Sequence, residues 1–200
     1  TLMHASLTRE MILRMVQMAE LHDPRETGLH VHRVASYAVE IYDRWAFNHN
    51  IHRHEREKFR DALKIAAMLH DVGKIGISDT ILKKPGKLTP EEYRTMQSHT
   101  WRGSKLFLSG NSAVDTLSRD IALRHHENWD GTGYPGHIAP ETGAIVQYNP
   151  SHTAAQGLIG EEIPLGARIT ALADVYDALS CKRAYKDEWT EEKVLGEIQQ

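Results

Sequence analysis

The sequence predicts an all-α fold formed by one bundle of helices. Apolar residues recur with helical period along most of the chain, and no stretch alternates with the period of two that a strand requires. The 200 residues are 40% hydrophobic, which is enough to close a single core, and no internal repeat is evident. Helices are expected at residues 6–21, 25–46, 55–71, 90–108, 115–127, 165–181 and from 190 to the end.

The first predicted helix has an apolar face at spacings of four, four and three. This face consists of Leu7, Met11, Met15 and Met18. It is expected to pack in the core or between the two copies of a homodimer. Residues 1–22 could also continue from an upstream sensory or receiver domain, with residues 23–200 forming the main domain.

Two predicted helices share a start signal, in which an N-cap residue is followed by proline and then by glutamate. The signal consists of Asp23, Pro24 and Glu26 in the second helix, and of Thr89, Pro90 and Glu92 in the fourth. Residues 73–85 and 130–136 are expected to be loops. Residues 136–160 show no period and are predicted to be an insertion, either a flap or lid near a site or a plain surface loop.

Composition excludes several classes of protein. The net charge of -3 and the pI near 6.5 give no basic field, so a nucleic-acid partner is not expected. Cys181 is the only cysteine, which excludes an internal disulfide and a thiolate zinc cluster. No segment approaches the length of a membrane span, and a cytoplasmic location is expected.

Histidines and acids occur in an order that suits a metal site for the hydrolysis of phosphate esters. The candidate ligands are Glu26, His30, His70, Asp71, His99, His125, His126 and Asp174. Glu26 and His30 are four residues apart and would share one helix face. Alternatively, Glu26 only caps its helix and His30 is an ordinary surface histidine.

The central motif is His70-Asp71-Val72-Gly73-Lys74. His70 follows an apolar helical stripe, so Asp71 and Lys74 would lie at the edge of the core, where burial without partners is costly. A bound metal would compensate Asp71, and Lys74 could then face a phosphoryl oxygen or the attacking water. The alternative is a buried ion pair between Asp71 and Lys74.

Two further candidates depend on helix geometry. Adjacent side chains on a helix diverge by about 100°, so His125 and His126 are expected to bind different ions, unless they are two exposed histidines at a helix end. Asp174 lies on a strip of alanines that permits close helix packing. It therefore needs a partner, which is either a cation or a bond to the backbone or to an arginine.

With these residues in place, the chain resembles the HD-GYP family, a branch of the HD superfamily of phosphohydrolases that hydrolyse cyclic di-GMP. The resemblance covers nearly everything from Asp23 to Lys186. Its segments are Asp23–His30, His70–Ile77, Leu82–Pro90, His125–Pro135, and Glu161–Pro164 followed by Ala173–Leu179. It implies an HD-superfamily helical bundle with a long insertion after the Gly133-Tyr134-Pro135 turn.

The resemblance also implies a set of metal ligands. They are His70, Asp71, His99, His125, His126 and Asp174, with Asp71 bridging two ions. Glu26 and His30 match the pair that permits a third ion in some members. Two or three divalent cations are therefore expected, and the nitrogen and oxygen donors favour iron or manganese over zinc.

Substrate contacts follow from the same resemblance. Tyr134 in the signature turn would contact a guanine or a phosphate, and Lys74, Arg183 and Lys186 would contact phosphate or base. Lys186 stands where the family more usually has arginine, and it cannot make the same bidentate contact. Residues 136–160 stand where the family generally has a short connector, so the insertion could cover the nucleotide groove.

The activity that the resemblance implies is hydrolysis of cyclic di-GMP to pGpG and on to GMP in bacterial second-messenger signalling. Asp71 and Lys74 would be the catalytic residues, and diguanylate cyclases would be functional partners. One alternative is a phosphodiesterase for another substrate, such as cyclic GMP-AMP, the linear dinucleotide or a nucleoside phosphate. The other is a cyclic di-GMP sensor with little turnover.

Overall fold

The computed structural model describes residues 2–23, 29–146, 155–181 and 189–198. Within these ranges the regular structure is helical, with two isolated β-bridges and no strand, and the predicted all-α fold is confirmed. The α-helices are α1 (Leu2–His22), α2 (His30–Asn48), α3 (Arg53–Met68), α4 (Asp79–Leu82), α5 (Pro90–Gln97), α6 (His99–Lys105), α7 (Ala113–Arg124), α8 (Leu165–Ser180) and α9 (Glu191–Ile198). Short 3-10 helices span Val72–Gly76 and Gly160–Glu162.

The core lies where α2 packs against α3 and α8, and where α3 packs against α7. Fully buried alanines such as Ala38, Ala66 and Ala173 let these helices approach closely, and Leu63 and Ile121 fill the space between them. Burial of a side chain such as Leu63 contributes about 1.5–3 kcal/mol. The bundle therefore holds the ends of α2, α3 and α7 in fixed relative positions.

The methionine face of α1 points to solvent, whereas one sequence prediction places it in the core. Met11 and Met18 are each 64% exposed, whereas Val16 is buried and Ile12 and Leu13 pack against the core. The helix turns Ile12, Leu13 and Val16 inward, so the exposed methionines Met11 and Met18 are not part of the core. Packing of this face in a dimer or against an upstream domain stays a prediction. No helix in the described ranges is long and apolar enough to cross a membrane.

The predicted helix 90–108 is two helices, α5 and α6, which meet at Ser98. The hydroxyl of Ser98 donates to the carbonyl of Thr95 at 2.6 Å and accepts from Arg102 at 3.0 Å. Such local bonds compete with the helical ladder and favour a bend. The capping box expected at Thr89 and Glu92 is confirmed.

Several other helix boundaries differ from the prediction. Helix α3 ends at Met68 rather than at residue 71, and α7 spans Ala113–Arg124 rather than 115–127. Ser112 and Asp115 form an unpredicted capping box at the start of α7. Helix α2 begins at His30, while Pro24 and Glu26 of the predicted start signal lie outside the described residues.

Candidate metal centre

Most of the candidate ligands lie at helix ends that converge on one point of the bundle. His30 is the first residue of α2, His99 is the first residue of α6, and His125 directly follows α7. His70 and Asp71 form the turn between α3 and the first 3-10 helix, and only Asp174, on α8, comes from a helix interior. Glu26 lies outside the described residues.

Four of these residues form the first group, namely Asp71, His99, His125 and His126. One potential ligand atom of each lies within 4.8 Å of the others. The Oδ1 atom of Asp71 is 3.2 Å from Nε2 of His99 and 3.6 Å from Nε2 of His125. In the described part of the chain these three buried atoms make no hydrogen bond, which is costly unless a cation binds them.

The opposite nitrogens of the histidine rings are already bonded to the backbone. Nδ1 of His99 lies 2.8 Å from the carbonyl of Met96, and Nδ1 of His125 lies 2.9 Å from that of Ile121. A carbonyl can only accept, so each Nδ1 carries the proton and each Nε2 has a free lone pair. Backbone bonds of this kind orient metal-binding imidazoles in proteins.

The second group consists of His30, His70 and Asp174, whose potential ligand atoms also lie within 4.8 Å of one another. Nε2 of His30 lies 3.4 Å from Oδ1 of Asp174. Nε2 of His70 lies 3.3 Å from Oδ2 of Asp71, so the Asp71 carboxylate has one oxygen toward each group. Neighbouring groups of this kind could hold two cations.

Local electrostatics favour the protonation states that bind a metal. Burial would raise the pKa of Asp71, but the ammonium of Lys74 outweighs it and holds that pKa well below its usual range. Burial lowers the pKa of both His125 and His126, although the Asp71 carboxylate acts in the opposite direction on His125. The carboxylate is therefore ionised and the rings are neutral.

The rings of His125 and His126 diverge less than two neighbouring side chains on a helix would. They directly follow the end of α7 at Arg124, their centroids lie 4.0 Å apart, and both belong to the first group. Binding of different ions by these two residues stays a prediction. The ring of Tyr134 stacks on His126 with centroids 4.7 Å apart. Burial raises the pKa of Tyr134, so its hydroxyl stays protonated.

Among the described residues, Lys74 pairs with the carboxylates of Asp71 and Asp23 at the edge of the site. Its Nζ atom lies 2.7 Å from Asp71 and 3.2 Å from Asp23, which is buried at the end of α1. Both alternatives for Lys74, the structural ion pair and the substrate contact, are compatible with this position. Arg183 and Lys186 lie outside the described residues.

Sequence reasoning missed Asp177, whose side chain is 1% exposed. Asp177 bonds to His30 and to Arg33, and these hydrogen bonds lower its pKa although burial acts in the opposite direction. The sequence does carry a signal for Asp177. His30 and Arg33 share one face of α2 because they are three residues apart. Asp174 and Asp177 share one face of α8 for the same reason.

An open cavity of about 720 Å³ adjoins the two groups, and His125, His126 and Asp174 line it. Its volume lies within the range of about 300–1,000 Å³ that is usual for ligand sites. Tyr134 also lines this cavity, as does part of the predicted insertion. The arrangement thus places two potential cation sites on the wall of a groove large enough for a nucleotide.

Comparison with known proteins agrees with this geometry. The HD domain family matches residues 27–179. A 3'3'-cGAMP-specific phosphodiesterase 2 from Vibrio cholerae is 37% identical over 96% of this chain and 31% of its own length. A probable cyclic di-GMP phosphodiesterase from the same organism is 39% identical over 94% of this chain and 40% of its own length.

A cyclic di-GMP phosphodiesterase from Thermotoga maritima is 36% identical over 94% of this chain and 44% of its own length. The chain therefore spans less than half the length of each of these three relatives. The similarity nevertheless covers almost the whole chain, including both groups of potential ligands.

Proposed function

The chain belongs to the HD domain family, of the HD-GYP type, and on that premise we propose that it is a metal-dependent phosphodiesterase for cyclic di-GMP. The products would be pGpG and then GMP, in bacterial second-messenger signalling. The observation that carries the proposal is the convergence of buried Asp71 Oδ1, His99 Nε2 and His125 Nε2 beside the cavity. Relatives named as cyclic dinucleotide phosphodiesterases support the substrate class.

Two cations would be held by the two groups of ligands. Asp71, His99, His125 and His126 would hold one of them. His30, His70 and Asp174 would hold the other, with Asp71 shared between them. Glu26 would permit a third ion. All donors are nitrogen or oxygen, which favours iron or manganese.

When bound, divalent cations would neutralise the charge of a phosphate diester and would lower the pKa of a water molecule, so that it can act as a nucleophile at neutral pH. The protein's own residues orient the ligands and stabilise charge. Backbone bonds hold the rings of His99 and His125 in fixed orientations, so no reorganisation is needed when substrate enters. Lys74 keeps Asp71 ionised and would stabilise charge that develops on a phosphoryl oxygen.

The groove would hold the dinucleotide with local charge rather than with a broad basic field. The net charge of -3 gives no long-range attraction for an anion. Tyr134 would present a protonated hydroxyl and an aromatic ring to the substrate. Arg183 and Lys186 would add cationic contacts to phosphate or base.

A second candidate substrate is 3'3'-cyclic GMP-AMP, because the V. cholerae relative named for it is 37% identical over 96% of this chain. The chemistry at the phosphate would be the same, and only the contacts to one base would differ. Competition between the two cyclic dinucleotides for one preparation of enzyme separates them. A lower kcat/KM for cyclic di-GMP than for cyclic GMP-AMP would reassign the substrate.

The proposal is tested with Asp71→Ala. Because Asp71 faces both groups, the variant should lose most of its bound metal and most of its turnover of cyclic di-GMP. Elemental mass spectrometry measures the metal content. Asp61→Ala is the matched control, since the Asp61 side chain is 79% exposed. Wild-type turnover in the Asp71→Ala protein would contradict the proposal. If metal-loaded wild-type protein binds cyclic di-GMP but forms no product, the protein is a sensor instead.

A further inference from the structure

The first half of the insertion is a short hairpin, here called the insertion hairpin, that spans residues 137–146. The N–H of Val146 donates to the carbonyl of His137 at 2.8 Å, and the N–H of Ala139 donates to that of Ala144 at 2.8 Å. Between these bonds Ile138 and Ile145 face each other in an isolated antiparallel bridge. The two isoleucines thus form one apolar unit at the centre of the hairpin.

Both ends of the insertion are fixed by one buried carboxylate. Oε1 of Glu127 accepts the N–H of Gly136 at 2.8 Å, and Oε2 accepts the N–H of Leu158 at 3.2 Å. Arg124 lies 3.0 Å from Glu127 and donates to the carbonyl of Gly136 at 2.6 Å. Charge-assisted bonds in a buried position hold these ends firmly against the end of α7.

The tip of the hairpin is fixed as well. Gly143 has a φ of +72°, and a Cβ atom built there would lie 2.7 Å from the indole ring of Trp101. The backbone of the tip therefore packs directly on Trp101, which lies on α6 two residues after His99. The hairpin is thus held at its start through Gly136 and at its tip by Trp101, and it forms a wall beside α6.

This wall lines the same cavity as the candidate metal ligands. Ile138, Gly143 and Ile145 of the hairpin contribute to it, together with Tyr93, Gln97 and Trp101 from α5 and α6. Tyr93 is half exposed, so its ring is open to a ligand. One part of the cavity therefore combines apolar and aromatic groups with the polar side chains of Arg94, Gln97 and Ser98, and another part carries the imidazoles and carboxylates.

A ligand that fits both parts has an anionic phosphate and a flat base with a polar edge. We propose that the insertion hairpin builds a binding subsite for a purine base, with Ile145 and Tyr93 against the faces of the base and Gln97 at its edge. This inference rests on the proposed function for the position of the phosphate. It assigns a specificity-determining role to a segment that the resembled family generally lacks.

The subsite is tested by binding rather than by turnover. The dissociation constants of GMP and of ribose 5-phosphate, which lacks the base, are measured by calorimetry on the metal-loaded protein. GMP should bind about 10- to 100-fold more tightly, the range expected from stacking of one base. Equal affinities in the wild-type protein overturn the subsite.

Adjacent residues of the hairpin provide the matched variants. Ile145 lines the cavity, whereas Val146 is 70% exposed and does not line it. Ile145→Asp places a carboxylate against the base and should bring the affinity ratio of the two ligands close to one, while Val146→Asp should keep the wild-type ratio. Equal ratios in the two variants contradict the inference.

Two further measurements keep the test decisive. If Ile145→Asp does not fold, Ile145→Ala takes its place and should lower the ratio by about fivefold. Turnover of cyclic di-GMP is assayed separately on wild-type protein. Tight GMP binding without turnover overturns the proposed function alone, and turnover without a base preference overturns the subsite alone.

Discussion

Nδ1 of His30 lies 2.7 Å from the carboxylate of Asp177, a residue 147 positions away in the sequence. A carboxylate accepts, so Nδ1 carries the proton and Nε2 of His30 turns its lone pair toward Asp174 at 3.4 Å. Arg33 donates to both oxygens of Asp177, at 2.6 and 3.0 Å, which fixes the carboxylate in turn. Asp177 is thus a positioning residue for the second group of ligands.

Replacement of this carboxylate should weaken metal binding. In Asp177→Asn the bond to His30 loses its charge and Arg33 loses its counter-ion, so the His30 ring is less well oriented. We expect metal affinity at the second group to fall by about 10- to 100-fold, as it does when such supporting partners are removed. Metal titration followed by calorimetry measures this change.

Asp43→Asn is the control for that variant, because Asp43 also lies on a core helix and pairs with Arg56 and Arg60 at 3.4 and 3.5 Å. It should leave metal affinity unchanged. Identical metal affinities in the two variants would show that Asp177 does not position His30.

Lys74→Met separates the two alternatives for Lys74. A role in stabilising charge on the phosphate predicts that kcat falls by about 10²- to 10³-fold while bound metal is retained. A purely structural ion pair with Asp71, at 2.7 Å, predicts lower stability but nearly normal turnover per folded molecule. Steady-state kinetics, metal content and denaturant unfolding are measured together, with the exposed Lys83→Met as control.

Gly73→Ala should disturb the site through packing alone. A Cβ atom at residue 73 would lie 1.9 Å from the backbone oxygen of His99, so either the turn or the start of α6 must move. Overpacking of this kind costs about 1–3 kcal/mol and displaces a candidate ligand. Thermal unfolding and metal content test this expectation.

The control for that substitution is Gly196→Ala on α9, where a Cβ atom would meet nothing within 4 Å. Alanine favours helix over glycine by about 1 kcal/mol, so this variant should be as stable as wild type or more so. A Gly73→Ala protein with unchanged stability and metal content would refute the close approach of the turn to α6.

Glu127→Gln should destabilise the fold and loosen the insertion. Glu127 is buried and accepts from the N–H groups of Gly136 and Leu158 and from Arg124. The amide nitrogen of Gln cannot accept, so at least one of these donors is left without an acceptor. We expect a loss of about 1–3 kcal/mol in the free energy of unfolding. The matched control is Glu162→Gln, an exposed acid that caps the neighbouring segment through Ile159. Equal losses in the two variants would contradict the anchoring role of Glu127.

Local sequence patterns predicted the all-α fold and most of its helices because period and capping depend on neighbouring residues. The capping box at Thr89 is an example, since all its atoms lie within one turn. The bend at Ser98 was missed, because a serine hydroxyl that bonds to its own helix leaves no trace in the apolar period. The sequence also does not decide which face of α1 points outward, because two apolar faces compete and only packing decides between them.

The candidate ligands could be predicted because so many histidines and acids rarely occur in this order. Their geometry could not, because it depends on contacts between residues that are far apart in the sequence. The bond between His30 and Asp177 and the approach of His125 to Asp71 join separate parts of the chain. The position of Leu158 depends in the same way on Glu127, which lies 31 positions away in the sequence. Such partners cannot be read from period or spacing.

The central claim is metal-dependent hydrolysis of cyclic di-GMP. Protein purified without oxygen is stripped with a chelator, reconstituted with ferrous iron or manganese, and incubated with cyclic di-GMP, and the products are separated by chromatography. The reconstituted protein should produce pGpG or GMP, and the stripped protein should produce neither. Equal product from both preparations, or none from protein with metal confirmed bound, would contradict it.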